Sequence, residues 1–342
     1  MRLTGGASSA LEFSVRLWTF LVLAAVLLSC ESSETGTGIE APTHGGFRLT
    51  PISREVEPSR AGGAPASTRV VLLGTGTPTP DPGRSGPAVA VLSQGQAYLV
   101  DFGPGVVRRA SEAQQRGLHE LDILHLTRIF VTHLHSDHTA GYPDLILTPA
   151  VVGRALPLQV YGPPGIRQMT RAVQEAYRAD FEVRSRQKGL DAMGGYVVVP
   201  HEVEPGVVYR DDALEVSAFT VEHGSWERAY GYRFEAPDRS IVISGDTAPS
   251  EAVIEACDGC DVLVHEVYCQ EGLDQGEPGW RQYHSRYHTS TIELARLAEK
   301  ARPKLLVLYH VLFFGCSEEQ LLREVQREYR GQVALGQDLA VY

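Results

Sequence analysis

Short apolar runs, punctuated by turn residues, set the rhythm of the chain from residue 69 onward. Val70-Val71-Leu72-Leu73 leads into Gly74-Thr75-Gly76, a strand followed by a turn. Residues 88–92 (Ala-Val-Ala-Val-Leu) and 97–100 (Ala-Tyr-Leu-Val) predict two further strands, and residues 106–116 a helix. Residues 128–132 read as a buried-type strand. Residues 158–161 read as another, followed by a Gly-Pro-Pro-Gly turn and a helix over about 166–178. In the second half, residues 214–221 alternate as a half-buried strand does. Residues 230–234, 240–243, 261–264 and 305–308 predict strands, and 291–301 and 318–329 amphipathic helices. Strands and helices alternate in two comparable halves with no linker between them. That pattern predicts one α/β domain of two sheets covered by helices.

The first 68 residues lack this rhythm. Arg2 and Arg16 precede an apolar stretch at 17–28 that ends at Ser29-Cys30. The stretch is shorter than the roughly 20 apolar residues that span a bilayer, so a secretory signal is the better reading. Leu27-Leu28-Ser29-Cys30 resembles a bacterial lipobox, whose cysteine carries lipid. Residues 1–30 are therefore expected to be a lipoprotein-type signal peptide ending at Cys30. The protein would be exported and held to a membrane through lipidated Cys30, facing the periplasm or cell exterior. An ordinary signal peptide, a membrane anchor and a misplaced start are the alternatives. Residues 31–68, rich in Ser, Thr, Gly, Pro, Ala and Glu, predict a flexible tether. The folded domain is expected over 69–342.

The formal charge of the 342-residue chain is -11. Such a surface gives a long anionic polymer little general attraction, which argues against nucleic acid as a partner. Of five cysteines, Cys257 and Cys260 have C-x-x-C spacing, but no second pair exists to complete a four-cysteine zinc site. Structural thiols or a local disulfide are expected there. The pairing of Cys269 and Cys316 is open, and so is the oligomeric state, a homodimer being one option.

The strongest chemical signal is His133-Leu134-His135-Ser136-Asp137-His138, directly after an apolar strand. His133 and His135 are two apart, so at a strand end they project to one side. Imidazole and carboxylate together suit zinc, and a solvated polar loop explains this density poorly. His223, Asp246 and His310 each follow an apolar strand, where α/β folds gather their sites. A lone histidine in such a place is more often a core or capping residue; three ligand-type residues beside a strong metal motif reverse that weighting. His44, His119, His125 and His201 have no motif around them and are expected at the surface.

At these residues the chain resembles the metallo-β-lactamase superfamily. The signature is His133-x-His135-x-Asp137-His138. The succession Gly74-Thr75-Gly76, Asp101-Phe102-Gly103, Glu222-His223-Gly224, Gly245-Asp246-Thr247, His265-Glu266 and Tyr309-His310 is similar to the ribonuclease Z and arylsulfatase branch. The resemblance covers residues 69–342 and implies an αββα sandwich with a binuclear site at one edge. It implies that His133, His135 and His223 hold one metal, that Asp137, His138 and His310 hold the other, and that Asp246 bridges them. The metals are expected to be two zinc ions, with manganese or iron as alternatives. It further implies catalytic roles for Asp137, which orients a metal-bridging hydroxide, for His288, which faces the leaving group, and for Glu266, which orients His288. His284 competes for the role of His288. Asp101 is read as a carboxylate supporting the metal loop.

Bacterial ribonuclease Z proteins carry a long arm between the strands that here flank residues 235–239, and this chain has only five residues there. With the export signal and the acidic charge, that favours a small-molecule ester. The leading expectation is a hydrolase of aryl sulfate esters or small phosphodiesters. A ribonuclease Z-type phosphodiesterase, a lactonase or β-lactamase-like hydrolase, and a non-catalytic metal-stabilised binding lipoprotein are the alternatives. Trp226, Tyr230, Trp280, Tyr283, Phe313 and Phe314 lie near motif loops and are candidates to line an aromatic pocket, with a core position equally weighted for each.

Overall fold

The two-residue alternation within the apolar runs sorts side chains onto opposite faces of two sheets. The computed structural model describes residues 67–188 and 194–342, all within one compact unit. The expected signal peptide and nearly all of the expected tether lie outside the described residues. Thr68, assigned to the tether, already belongs to the domain: its backbone N–H and hydroxyl both donate to the Asp238 carboxylate, at 2.8 and 2.6 Å.

The first sheet runs in spatial order β1 (Arg69–Gly74), β2 (Ala88–Ser93), β3 (Gln96–Val100), β4 (Arg128–Phe130), β5 (Leu158–Gly162) and β6 (Val198–Glu202). The second comprises β7 (Gly206–Arg210), β8 (Glu215–His223), β9 (Trp226–Ala236), β10 (Arg239–Ile243), β11 (Val262–Tyr268), β12 (Leu305–Leu312) and β13 (Val333–Leu335), again neighbour to neighbour. Strands β3 to β6 and β10 to β13 pair in parallel.

The helices are α1 (Val106–Gln115), α2 (Ser136–Thr139), α3 (Tyr142–Val152), α4 (Ile166–Ala176) and α5 (Arg178–Lys188) in the first half. In the second half they are α6 (Glu251–Cys257), α7 (Gln270–Asp274), α8 (Pro278–Tyr287), α9 (Thr291–Ala301) and α10 (Glu318–Glu328).

Alternation divides most of the apolar residues into three cores, with a small fourth cluster at Ala150 and Tyr196. Val89 and Val91 of β2 face Tyr232, Phe234, Ile241 and Ile243 of the second sheet, forming the layer between the sheets. Ala88, Ala90 and Leu92 face outward against α1, α3 and α4. Val242, Leu263 and Leu306 face the opposite outside, under α6, α9 and α10. This is the αββα sandwich, and its parallel strands deliver the loops that follow them to one edge. Among the described residues no helix is long and apolar enough to cross a membrane.

Candidate metal centre

Each candidate ligand is aimed by its local backbone. Strand β4 ends at Phe130, and Thr132 is then tied to Asp101, whose Oδ1 accepts from the Thr132 N–H and whose Oδ2 accepts from its hydroxyl, both at 2.8 Å. The chain then turns into α2, which carries Asp137 and His138. His223 closes β8. Asp246 follows β10 directly after Gly245, whose φ of 63° is left-handed; a Cβ there would come within 2.7 Å of the Tyr230 carbonyl, so only glycine fits. His310 sits inside β12 at a shift of register, where Glu266 pairs Tyr309 but Val267 pairs Val311. The extra residue is a bulge, and with φ of 46° it aims the imidazole at the site. Asp101 also has a left-handed backbone, φ 62°. Such strained non-glycine residues cost roughly 1–3 kcal/mol each and cluster where function holds them.

The structure brings all seven candidate ligands together. Nδ1 of His135 lies 3.0 Å from Nε2 of His133 and 3.0 Å from Nε2 of His223. Nε2 of His310 lies 3.1 Å from Oδ2 of Asp137 and 3.5 Å from Oδ2 of Asp246. Nε2 of His138 lies 3.6 and 3.4 Å from the same two oxygens. Donor atoms of His133, His135 and His223, of Asp137, His138 and His310, and of His133, His138 and Asp246 form three groups, each within 4.8 Å. Asp246 thus stands between the two triads.

Hydrogen bonds outside these groups fix which ring nitrogen is free. His138 donates from Nδ1 to Asp101 Oδ2 at 2.8 Å, and His223 donates from Nδ1 to the Tyr287 carbonyl at 2.7 Å. The Thr132 hydroxyl gives its proton to Asp101 and therefore accepts from Nδ1 of His133, at 3.0 Å. In their neutral forms all three rings consequently present an Nε2 lone pair to the centre. Nε2 of His138 and Oδ1 of Asp246 are buried without a hydrogen-bond partner among the described residues, as donors awaiting a cation would be. The residues fit bound metal.

His135 differs. Its Nε2 accepts from the Trp226 indole at 2.7 Å, which leaves Nδ1 protonated in a neutral ring. Coordination through Nδ1 requires that proton to leave and the indole to turn away. Sequence reasoning placed Trp226 as a pocket candidate and missed this contact. The signal was present: Trp226 pairs with His223 across a two-residue turn, so the hairpin returns it to the site.

The electrostatics follow from burial and crowding. Burial holds His133 well below the usual histidine range and His223 down at about 4. Burial also works against protonating His138, but the Asp246 and Asp101 carboxylates outweigh it and hold it well above. Asp246 is likewise penalised by burial, yet His310 and His138 hold it well below the carboxylate range. Glu266 goes the other way, pushed well up by burial and then by the Asp246 charge.

His288 lies between α8 and α9, fixed by helix ends on both sides. Ser290 caps α9 in a capping box with Glu293. Nδ1 of His288 faces Oε2 of Glu266 at 3.4 Å, and burial lowers its pKa to about 4. Oε1 of Glu266 accepts from the Thr289 N–H at 2.8 Å and the Thr247 N–H at 3.4 Å. His288 lines a cavity of about 1170 Å³ together with Asp137, Asp246 and His310. His284 lines it one turn of α8 earlier and does not face Glu266 as His288 does.

Of the six aromatic candidates, Trp280, Tyr283 and Phe314 line the cavity. Trp226 reaches His135 instead, Tyr230 is a core residue donating to the Val203 carbonyl, and Phe313 lies under the Arg84 guanidinium. His119 and His125 are exposed, as expected; His44 is outside the described residues. His201 is not a plain surface residue: half-buried in β6, it stacks on Tyr161 at 4.4 Å and bonds Gln159. Two disulfides form, Cys257–Cys260 and Cys269–Cys316; the second ties the chain just past β12 to the N-terminal cap of α7.

This fold and donor set are those of a metallo-hydrolase, and the comparisons agree. The model of the Beta-lactamase superfamily domain matches residues 96–311. The chain belongs to the metallo-β-lactamase superfamily. It is 32% identical to the ribonuclease Z of Mycobacterium bovis over 275 residues, covering 79% of this chain and 96% of that one. The metallo-β-lactamase fold protein YhfI of Bacillus subtilis superposes with a TM-score of 0.60 at 18% identity, over 82% of this chain and 99% of its own. The short form of human tRNase Z superposes with a TM-score of 0.60 at 24% identity, over 80% and 98%.

The missing arm does not weigh against a ribonuclease Z, contrary to expectation. Strands β9 and β10 are joined by a tight turn at Pro237-Asp238, as the sequence indicated. The alignment with the mycobacterial protein, however, leaves room for only a few inserted residues in that relative. A short hairpin here therefore does not set this chain apart from a protein named ribonuclease Z.

Proposed function

We propose that this protein is a dimetal phosphodiesterase of the ribonuclease Z type. The observation that carries the reading is the donor set, seven residues in two triads around Asp246, with three histidines locked in the ligating tautomer beside an unused His288–Glu266 pair. His133, His135 and His223 would hold one ion, Asp137, His138 and His310 the other, and Asp246 both; zinc suits these ligands. Two such ions supply Lewis acidity toward phosphoryl oxygens and a nucleophile acidic enough to ionise near neutral pH.

The chain's own residues supply the rest. Asp137 stands at the cavity wall, placed to orient the attacking oxygen as well as to bind metal. Glu266, anchored by two backbone N–H groups, stands with Oε2 3.4 Å from Nδ1 of His288. The opposite nitrogen serves the cavity that His288 lines and hands its proton to the departing oxygen, while Nδ1 takes the proton that burial keeps on the Glu266 carboxyl.

Small aryl phosphodiesters or aryl sulfate esters are the second reading, favoured by the aromatic wall of the cavity and by the acidic charge. Both present a tetrahedral oxyanion centre. Export and a lipid anchor at Cys30 are part of the proposal, supported by the leader sequence and by two disulfides, which persist in oxidising compartments. The test is kcat/KM of the metal-loaded protein on an RNA with a 3′ extension, bis-p-nitrophenyl phosphate, p-nitrophenyl sulfate and a simple lactone. Preference for the RNA supports the first reading. Preference for bis-p-nitrophenyl phosphate or for the sulfate selects the second, and activity on the lactone alone overturns both.

A further inference from the structure

Helix α8 leads from the mouth of the cavity to His288, and its aromatic residues share one face. Trp280, His284 and His288 are spaced four apart, with Tyr283 and Tyr287 beside them. The rings form a ladder. The Trp280 indole lies parallel to the His284 imidazole, centroids 5.2 Å apart and planes 13° apart, and His284 lies 5.5 Å from His288. Phe314 meets His284 edge-on at 4.7 Å. Tyr283 stacks on Tyr287 at 4.4 Å.

Two features of this ladder are not explained by folding. Trp280 and Tyr283 are 59% and 44% exposed although both line the cavity that holds the candidate metal ligands. The indole stacks on His284, meets Tyr283 edge-on, and still leaves more than half of Trp280 exposed. Exposed aromatic surface of this size, gathered at one site, marks a place where a ligand is bound. In addition, His284 is only 6% exposed, yet neither of its ring nitrogens has a hydrogen-bond partner among the described residues. Two unsatisfied buried polar atoms cost stability, so packing alone is a poor reason for a histidine there.

We propose that Trp280, backed by His284 and flanked by Tyr283, is a stacking platform for a planar aromatic group on the leaving side of the scissile phosphoryl centre. The platform deepens the proposed phosphodiesterase reading and rests on it. The leaving side is indicated because the ladder ends at His288, which faces the departing oxygen. Stacking on an aromatic ring is tolerant of ring identity, since every base or aryl group has a π face. A nucleobase one ribose away and an aryl ring bonded directly to the ester oxygen share this chemistry. An alkyl leaving group has nothing to place on the indole.

The test is direct binding to the metal-loaded full-length protein, without turnover. Calorimetric Kd values are compared for methyl phosphate, phenyl phosphate and adenosine 3′-monophosphate. The wild type is expected to bind at least one of the two planar probes about tenfold or more tightly than methyl phosphate. Trp280→Ala is expected to erase that preference and leave methyl phosphate unchanged. Trp280→Phe should keep most of it, whereas Trp280→Leu, apolar but without a π face, should lose it. Preference for phenyl phosphate alone identifies an aryl group as the occupant, and preference for the nucleotide identifies a base. Equal preference in the wild type, Trp280→Ala and Trp280→Leu, or none in the wild type, overturns the platform. Turnover of phosphodiesters with no aromatic preference would sink the platform and leave the function. Preference without turnover would do the reverse.

Discussion

Asp101 is not a ligand in either triad, yet replacing it by asparagine should weaken metal binding through two histidines at once. Its Oδ2 accepts from Nδ1 of His138 and from the Thr132 hydroxyl, and that hydroxyl in turn accepts from Nδ1 of His133. Its Oδ1 accepts from the Thr132 N–H. Asparagine tolerates the left-handed backbone of this position as aspartate does, so the change isolates the acceptor. If the new NH₂ replaces Oδ2, it donates to Thr132 and to His138. Both histidines are then driven to the tautomer with a protonated Nε2, which cannot ligate. If the amide flips, the tautomers are kept, but its NH₂ meets the Thr132 N–H and leaves a buried donor unsatisfied, at about 1–3 kcal/mol. The metal-free protein adopts the first arrangement at little cost, and the loaded protein is forced toward the second. Metal affinity should therefore fall roughly 10- to 100-fold, the range typical for losing an orienting carboxylate, while the metal-free melting temperature barely moves. The assay is competition with a chromophoric chelator, with melts of the metal-free forms alongside. An affinity within twofold of wild type would refute the tautomer reasoning. A large loss of metal-free stability would mean that Asp101 acts on the fold.

Trp226→Phe should do the opposite and tighten metal binding about fivefold. It removes a hydrogen bond, about 1 kcal/mol net, that favours the non-ligating tautomer of His135; chelator competition reads this, and weaker binding would contradict it. In the wild type, loading should change tryptophan fluorescence as the indole turns. His288→Ala should keep both ions by elemental analysis yet slow turnover roughly 10²–10⁴-fold, more for poor leaving groups; full activity on an alkyl phosphodiester would remove His288 as the proton donor. Replacing Cys269 and Cys316 by serine should cost about 4 kcal/mol in a urea melt, from the loop-closure entropy of a bridge spanning 47 residues. A cost under about 1 kcal/mol would mean that packing already fixes the two loops.

The ligands were legible because a strand end is a strong local signal. Apolar runs stop at Val131, Val221, Ile243 and Leu308, and the chemistry follows within a few residues of each. The orienting contacts were less so, since they depend on register and pairing. His310 reads as a residue after a strand that ends at Leu308, whereas β12 continues to Leu312 and bulges at His310, visible only against β11. Helix α8 was missed because its aromatic face turns toward a cavity, not a core, so its apolar residues do not repeat as a buried face does. Helix α3 carries Pro149 inside it, a breaker in any local reading, and α5 has only Phe181 and Val183 as large apolar residues, too few to form a stripe. Strand β7 has no buried residue along its length, so alternation gave no sign of it.

The most direct test of the central claim is metal stoichiometry measured together with phosphodiester hydrolysis. The metal-free protein would be titrated with zinc while bound metal and the rate on bis-p-nitrophenyl phosphate are followed on the same samples. Saturation is expected at two ions per chain, with hydrolysis absent in chelator and rising with occupancy. Hydrolysis by the metal-free chain, or two bound ions with no hydrolysis of any phosphodiester, would contradict it.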